Sequence, residues 1–193
     1  MQPIDKPWKQ LKKAESYIEK MSNAATLDDY EESWKDFLHN LERAWNKLVS
    51  HLKRSPKYQG WIERGKTEKK RRQDQLLSYL VNARGAEEHA VSDITSQEAG
   101  GVGINPAVGN SLFINMLEIK NGQMLIDSEQ SIKIEFIPGK VILLPIENRG
   151  KRYDVPATHL GEELENSSPV DLAKKGIEFY HAYFEKVEKQ FVK

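Results

Sequence analysis

The 193-residue chain contains no cysteine, and this absence excludes disulfide bonds and thiolate metal sites. It also has no uninterrupted apolar run of the ~18 residues that a membrane-spanning helix needs. The segment from Met1 to Lys20 is charged throughout, in contrast to the apolar stretch of a secretory signal peptide. These absences predict a cytoplasmic protein that does not interact with membranes.

A net charge of one sign is also missing, because 29 Lys and Arg residues are balanced by 29 Asp and Glu residues. The molecule as a whole therefore exerts no long-range attraction on nucleic acid. The hydrophobic fraction of 38% and the charged fraction of 30% are typical of a globular domain and argue against a disordered chain.

Apolar residues recur at helical spacing in the N-terminal half of the chain. Residues 8–25 predict a first helix, and Thr26 predicts the N-cap of a long second helix that ends near Lys53. Ser55-Pro56 predicts the start of a short third helix, because proline is favoured at the first helical position, and Gly65 is expected to end it.

A fourth helix is predicted from near Thr67 to the region of His89, basic in its first turns and apolar afterwards. Residues 96–110 are then rich in Gly, Ala, Asn and Pro, which predicts a loop at the boundary between helical and β structure. Within it, Gly100-Gly101-Val102-Gly103 lacks the Lys and Ser/Thr of a phosphate-binding loop and is interpreted as a flexible connector.

Alternating apolar residues and turn signals predict three or four antiparallel strands in the next part of the chain. Asn121-Gly122 supplies the two positive φ angles of a type I′ hairpin turn. Residues 149–165 are predicted to be irregular. The predicted strands are 112–119, 124–126, 132–136 and 140–146.

Ser168-Pro169 predicts the start of a last helix, whose apolar residues recur at alternating spacings of four and three. Such a seam needs another helix, so the last helix is expected to return to the N-terminal ones. The predicted fold class is α+β, mainly α: a four-helix N-terminal bundle, a small antiparallel sheet and a C-terminal helix packing back on the bundle. The predicted regions are 1–96 for the bundle, 97–167 for the β region with its loops, and 168–193 for the C-terminal helix.

One motif that can carry chemistry lies late in the fourth predicted helix, in the segment Arg84-Gly85-Ala86-Glu87-Glu88-His89. Arginine supplies a permanent cation with five donors, and histidine exchanges a proton near neutral pH. An Arg and a His at such spacing also occur together by chance, and Arg152 and His159 form a second match. Pro156 keeps that second match from being helical, so it is assigned to a connecting loop.

Four amphipathic helices with Arg-x4-His late in the fourth resemble the HEPN superfamily, over residues 8–95. The resemblance implies a homodimer that brings two motifs into one cleft, and a metal-independent endoribonuclease activity without a cofactor. It implies that His89 acts as a general acid or base and that Arg84 stabilises the charge of the phosphorane. Gly85 departs from the family pattern, in which this residue is commonly polar and often Asn. The residues expected to support the site are Asn82, Glu87 and Glu88.

Positions five apart on an ideal helix diverge by about 140°. Arg84 and His89 therefore need a loosened turn at Gly85, or pairing across a symmetric dimer, to reach one phosphate. In the alternative interpretation Arg84 pairs with Glu88 one turn on, and His89 interacts with a helix C-terminus. The protein is then a noncatalytic binding or scaffolding protein, which dimerises through the bundle and contacts a ligand or protein partner through the β region.

A basic run stands just before the motif and is a candidate contact for an RNA backbone. The alternative is a solvated helix face, because the net charge is zero and the run has no interleaved aromatic residues. The candidate RNA-binding residues are Lys69, Lys70, Arg71 and Arg72.

The remaining aromatic and histidine residues do not point to a second site. Trp34, Trp45 and Trp61 lie on apolar stripes and are interpreted as core residues. The other histidines show no His-x-x-x-His spacing, so neither a metal site nor a cofactor is predicted.

Overall fold

The computed structural model describes residues 4–53, 55–89 and 93–192, without the side chains of Glu88 and His89. The fold is α+β and mainly α, with helices over about half of the residues. The described helices are α1 (Asp5–Ser22), α2 (Leu27–Leu52), α3 (Pro56–Gln59), α4 (Ile62–Gln73), α5 (Gln75–His89) and α6 (Pro169–Phe191). The described strands are β1 (Thr95–Glu98), β2 (Gly101–Pro106), β3 (Met116–Lys120), β4 (Gln123–Asp127), β5 (Ile132–Ile137), β6 (Lys140–Leu143), β7 (Ile146–Asn148), β8 (Lys151–Tyr153), β9 (Thr158–His159) and β10 (Glu162–Glu163).

The first two helices form where their apolar stripes predict them. The hydroxyl of Thr26 accepts a hydrogen bond from the backbone N–H of Asp29 at 3.0 Å, which confirms the predicted N-cap of α2. The last helix, α6, starts at the predicted Ser168-Pro169 and packs against α1 and α2. The return of the C-terminal helix to the N-terminal helices is thereby confirmed.

The third helix begins as predicted but ends earlier. Ser55 caps α3 by accepting the N–H of Tyr58, and α3 ends at Gln59, next to Gly60. The expectation that Gly65 ends this helix is wrong, because Gly65 lies inside α4. Gly65 faces open space, so the missing side chain costs no packing and the helix continues through it.

The predicted fourth helix is two helices, α4 and α5, separated by Asp74. The backbone of Asp74 is extended, and its carboxylate accepts hydrogen bonds from the N–H groups of Leu77 at 2.9 Å and Leu160 at 2.6 Å. A residue whose side chain caps the N-terminus of α5 has an extended backbone and cannot also lie inside a continuous helix. The prediction of one helix from Thr67 onwards is therefore wrong at this residue.

The core lies between α1, α2, α5 and α6 and is rich in aromatic side chains. Trp34 and Trp45 are buried and Trp61 packs against the core, as predicted. The hydroxyls of Tyr58 and Tyr183 lie 3.1 Å apart and join α3 to α6. Among the described residues no helix combines the length and the apolarity needed to cross a bilayer.

Contacts divide the chain into one compact unit of residues 1–97 with 141–193, and a second of residues 98–140. Residues 141–167, expected in the β region, thus belong with the helices. They contain β8, β9 and β10, so the expectation of an irregular segment over 149–165 is wrong. Two tight turns build these short ribbons, with positive φ at Arg149-Gly150 and at Leu160-Gly161. Arg and Leu are unusual in that conformation, so the sequence indicates a turn only through the glycine that follows each of them and does not indicate the paired strands.

The second unit contains two antiparallel ribbons. Asn121 (φ 53°) and Gly122 (φ 77°) join β3 and β4, which confirms the predicted hairpin turn. The other ribbon pairs β2 with β5, from Gly101 opposite Ile137 to Pro106 opposite Ile132. The interpretation of residues 100–103 as a flexible connector is therefore wrong. Glycine is disfavoured in β-strands, but here the pairing with β5 outweighs this low strand propensity.

Candidate functional site

Arg84 of the motif lines an open groove between α5 and α2, with a volume of about 460 Å³. All the other lining residues come from α2, at spacings of three and four that place them on one face of the helix. They are His39, Arg43, Asn46, Lys47 and Ser50. The groove thus contains four side chains that carry or can acquire a positive charge. It also contains one amide and one hydroxyl group.

Lys47 is held in this groove by a neutral partner. Its Nζ donates to Oε1 of Gln10 on α1 at 2.9 Å, and Gln10 is itself fixed because its amide nitrogen donates to the side chain of Asn40. Loss of hydration and the positive charges of Arg43 and neighbouring lysines lower the pKa of Lys47. The lysines concerned are Lys6 and Lys9 on α1.

The carboxylate of Glu42 interacts with the charge of Arg84, a lining residue of the groove, and Arg71 of α4 engages it. The guanidinium of Arg71 donates to Glu42 at 2.5 Å and to the Tyr180 hydroxyl at 2.8 Å. It also stacks over the Trp45 ring at 4.0 Å. Burial raises the pKa of Glu42, and the charges of Arg71 and Arg84 act in the opposite direction. Arg71 is a structural cation of the bundle that offsets the Glu42 charge.

The four predicted RNA-binding residues therefore do not share one surface. Lys69, Lys70 and Arg72 are exposed on α4. Arg71 instead points inward, with only 11% of its side chain exposed. RNA binding by the exposed three stays a prediction, whereas Arg71 is occupied within the bundle.

Gly85 lies where a neighbouring segment touches α5. A Cβ added to Gly85 meets Nδ2 of Asn148 at 2.6 Å, and that same nitrogen donates to Oδ1 of Asn82 at 3.0 Å. The Asn82 amide nitrogen in turn donates to the Ser78 carbonyl oxygen at 2.7 Å. Asn82, predicted to support the site, thus joins α5 to the end of β7, and Gly85 makes room for that contact.

The end of the motif is described through its backbone. The α5 helix continues through Gly85 to His89, so Gly85 does not loosen the turn. Positions 84 and 89 are then about 140° apart around the helix axis. The side chains of Glu88 and His89 lie outside the described residues, so the pairing of Arg84 with either one stays a prediction. Glu87 is exposed.

The second Arg/His match divides between two separate contacts with aspartates. Arg152 pairs with Asp154 at 2.8 Å on an exposed surface. His159 Nδ1 lies 3.0 Å from Asp74 Oδ1, with both side chains mostly buried. Arg152 is in β8 and His159 in β9. This match serves the structure of the segment that follows β7 and does not form one site.

Sequence reasoning found Arg84 but missed the residues opposite it. His39, Arg43 and Lys47 recur at a spacing of four, a signal that is visible in the sequence of α2. The apolar stripe alone predicts that helix, and nothing local indicates that its basic face meets α5. In the described part of the chain, no three His, Asp or Glu side chains are grouped as a metal site requires.

Comparison with protein-family models, with curated proteins and with solved structures finds no match to this chain. The resemblance to the HEPN superfamily therefore depends on the Arg84/His89 motif, which lies in α5 and not in the predicted single fourth helix.

Proposed function

We propose that this protein is a cytoplasmic, HEPN-like endoribonuclease that needs no metal ion and whose active site is completed at a homodimer interface. The observation that supports the proposal is the position of Arg84, in an open groove among further basic and hydrogen-bonding side chains. A guanidinium in such surroundings suits a phosphodiester, because phosphate oxygens accept charge-assisted hydrogen bonds from arginine.

The chemistry follows from the two residue types. His89 as a general base takes the proton of a ribose 2′-hydroxyl, and the 2′-oxygen attacks the adjacent phosphorus. Arg84 stabilises the negative charge of the phosphorane. The bond to the 5′-oxygen then breaks, and this leaving oxygen receives a proton from a general acid. The products are a 2′,3′-cyclic phosphate and a 5′-hydroxyl.

A dimer suits the backbone geometry of α5. Two positions that diverge by about 140° on one helix do not face the same phosphate. A twofold axis near the end of α5 solves this, because each site then takes Arg84 from one protomer and His89 from its partner.

The test is RNA cleavage by the purified protein without divalent cations, compared with Arg84→Ala and His89→Ala. Loss of a general acid or base lowers the rate by about 10²- to 10⁴-fold. Arg152→Ala is the matched control, because Arg152 is an exposed arginine outside the groove. Mixing the two inactive variants restores part of the activity only if the residues act across a dimer. Cleavage unchanged in both single variants contradicts the proposal.

A second candidate function is noncatalytic binding or scaffolding, and one observation favours it. The ribbons of residues 98–140 expose large apolar side chains, with Phe136 82% and Ile119 69% exposed. Exposed apolar side chains in such number are typical of a contact surface. The protein then dimerises through the helices and binds a ligand or protein partner through the β region. Absence of RNA binding and cleavage, with loss of partner binding in Phe136→Lys, supports this function.

A further inference from the structure

We propose that His39, Arg43 and Lys47, here called the α2 basic row, form with Lys9 of α1 the surface that holds the RNA backbone next to Arg84. This inference rests on the proposed action on RNA and assigns the binding of the substrate to residues outside the Arg84/His89 motif.

The geometry of the α2 basic row fits a polyanion. Residues four apart lie above one another on a helix, so these three side chains run along α2 over about 12 Å. Arg84 lines the same groove from α5. A ligand that follows the row therefore reaches the arginine of the motif.

In the part of the chain that the structure describes, the charges of Arg43 and Lys47 are not neutralised by an acidic side chain. Lys47 is bound by the neutral amide of Gln10, and the Glu42 carboxylate is engaged by Arg71. In the described part of the chain, the ion pairs do not include Arg43, Lys47 or Lys9. Like charges at such spacing repel and destabilise a helix by a few tenths of a kcal/mol per pair. A bound anion removes this repulsion.

The other lining groups indicate that the anion is a phosphate. The exposed residues Asn46 and Ser50 add an amide, which also hydrogen-bonds Glu42, and a hydroxyl to the groove. Backbone phosphates in protein–nucleic acid complexes are bound by this combination of arginine, lysine, asparagine and serine side chains. The groove volume of about 460 Å³ is within the range of ligand-sized pockets.

The α4 surface is a weaker candidate for the same role. Arg71, at the centre of that run, is turned inward onto Glu42, and the remaining cations Lys69, Lys70 and Arg72 are exposed. None of these residues lines the groove with Arg84. A ligand held by α4 therefore has no shown route to the motif.

The experiment measures binding of a fluorescent single-stranded RNA to the full chain by anisotropy, over a series of salt concentrations. The variant is Arg43→Gln with Lys47→Gln, and the comparison variant is Lys69→Gln with Lys70→Gln, which has the same loss of charge. The control variant is Lys174→Gln with Lys189→Gln, which removes two positive charges from exposed lysines on α6. Because Lys47 is half-buried, Lys9→Gln with Arg43→Gln provides a second test with two exposed residues.

We expect both groove variants to weaken RNA binding at least tenfold and to keep the thermal midpoint of the wild type. Loss of two phosphate contacts is also expected to make the negative slope of log K against log salt shallower by about 1.4. Inorganic pyrophosphate is expected to compete with RNA in the wild type only at much higher concentration, because it occupies a small part of the row. Equal competition by pyrophosphate, which points to a small phosphate ligand, overturns the assignment to RNA.

Two outcomes separate this inference from the proposed function. In the first outcome, RNA is not cut, its affinity falls in the variants of Arg43 and Lys47, and its affinity is unchanged in His89→Ala. This outcome contradicts the ribonuclease and supports the binding surface. RNA that is cut by Arg84 and His89, with unchanged affinity in both groove variants, contradicts the binding surface. A loss of affinity confined to Lys69→Gln with Lys70→Gln also overturns the inference.

Discussion

The carboxamide of Asn148 packs against Gly85, with its nitrogen 2.6 Å from the position that a Cβ on Gly85 takes. The same nitrogen donates to Oδ1 of Asn82, which lies one turn before Gly85 in α5. Gly85, which departs from the HEPN pattern, is thus explained by the packing of Asn148 against α5, because any side chain at position 85 displaces Asn148.

Gly85→Ala is expected to destabilise the protein by about 1 kcal/mol. Overpacking costs about 1–3 kcal/mol, and the better helix propensity of alanine returns about 1 kcal/mol. Urea unfolding followed by circular dichroism measures the difference in the free energy of unfolding.

The matched control is the same substitution in an Asn148→Ala background. There the close contact is absent, so Gly85→Ala is expected to change sign and to stabilise by up to about 1 kcal/mol. Equal destabilisation in both backgrounds contradicts the packing explanation.

The parts of the fold that the sequence predicts are those decided by near neighbours. Thr26, Ser55 and Ser168 each cap the helix that follows them, and Asn121-Gly122 forms its turn without distant help. Such signals are written within a few residues, so they can be recognised without knowledge of the tertiary structure.

The parts that the sequence does not predict depend on distant partners. Asp74 breaks the predicted fourth helix with help from Leu160, which is 86 residues away. The β2 strand needs β5, and its glycines alone indicate a loop. In the candidate site Arg84 can be recognised from its motif, whereas Arg43 belongs to the site only because α2 packs against α5.

Asp74 is expected to make the stability of the protein depend on pH in the acid range. Burial opposes its ionisation, but hydrogen bonds from His159 and from the N–H groups of Leu77 and Leu160 outweigh this and hold the pKa of the carboxyl below its usual value. A lowered pKa stabilises the folded state above the unfolded pKa of about 3.9, and this contribution is lost as the pH falls through the folded pKa. Unfolding free energies measured in urea from neutral pH into this range provide the test.

Two substitutions separate the charge of Asp74 from its capping role. Asp74→Asn keeps a capping group and is expected to flatten the acid pH dependence. Asp74→Ala removes the cap as well and costs about 1–2 kcal/mol more at neutral pH. An unchanged pH dependence in Asp74→Asn assigns the effect to another group.

Arg71 is expected to contribute to stability and not to RNA binding. Arg71→Met removes the cation that hydrogen-bonds the largely buried Glu42 carboxylate and leaves Arg84 as a more distant one, which costs about 3 kcal/mol. The measurement is the free energy of unfolding of Arg71→Met, beside the affinity for single-stranded RNA.

The double variant Arg71→Met with Glu42→Gln tests the cause. Removal of the second charge is expected to recover part of the lost stability, because no uncompensated charge is then buried. A stable Arg71→Met protein with weakened RNA binding contradicts this role and indicates that Arg71 binds RNA together with Lys69, Lys70 and Arg72.

Alkaline pH is expected to unfold this protein through its buried tyrosines. Burial raises the pKa of Tyr58, Tyr79, Tyr180 and Tyr183 above the value of about 10 for a solvated phenol. A raised pKa means that the folded state keeps protons that the unfolded chain loses, so stability is complete below about pH 10 and falls as the pH rises further. We therefore expect tyrosinate absorbance to rise in one cooperative step together with the loss of helical circular dichroism, whereas in concentrated urea the same phenols ionise near their ordinary pKa. Gradual ionisation of all tyrosines near that value, with the helices intact, is incompatible with this packing of the core.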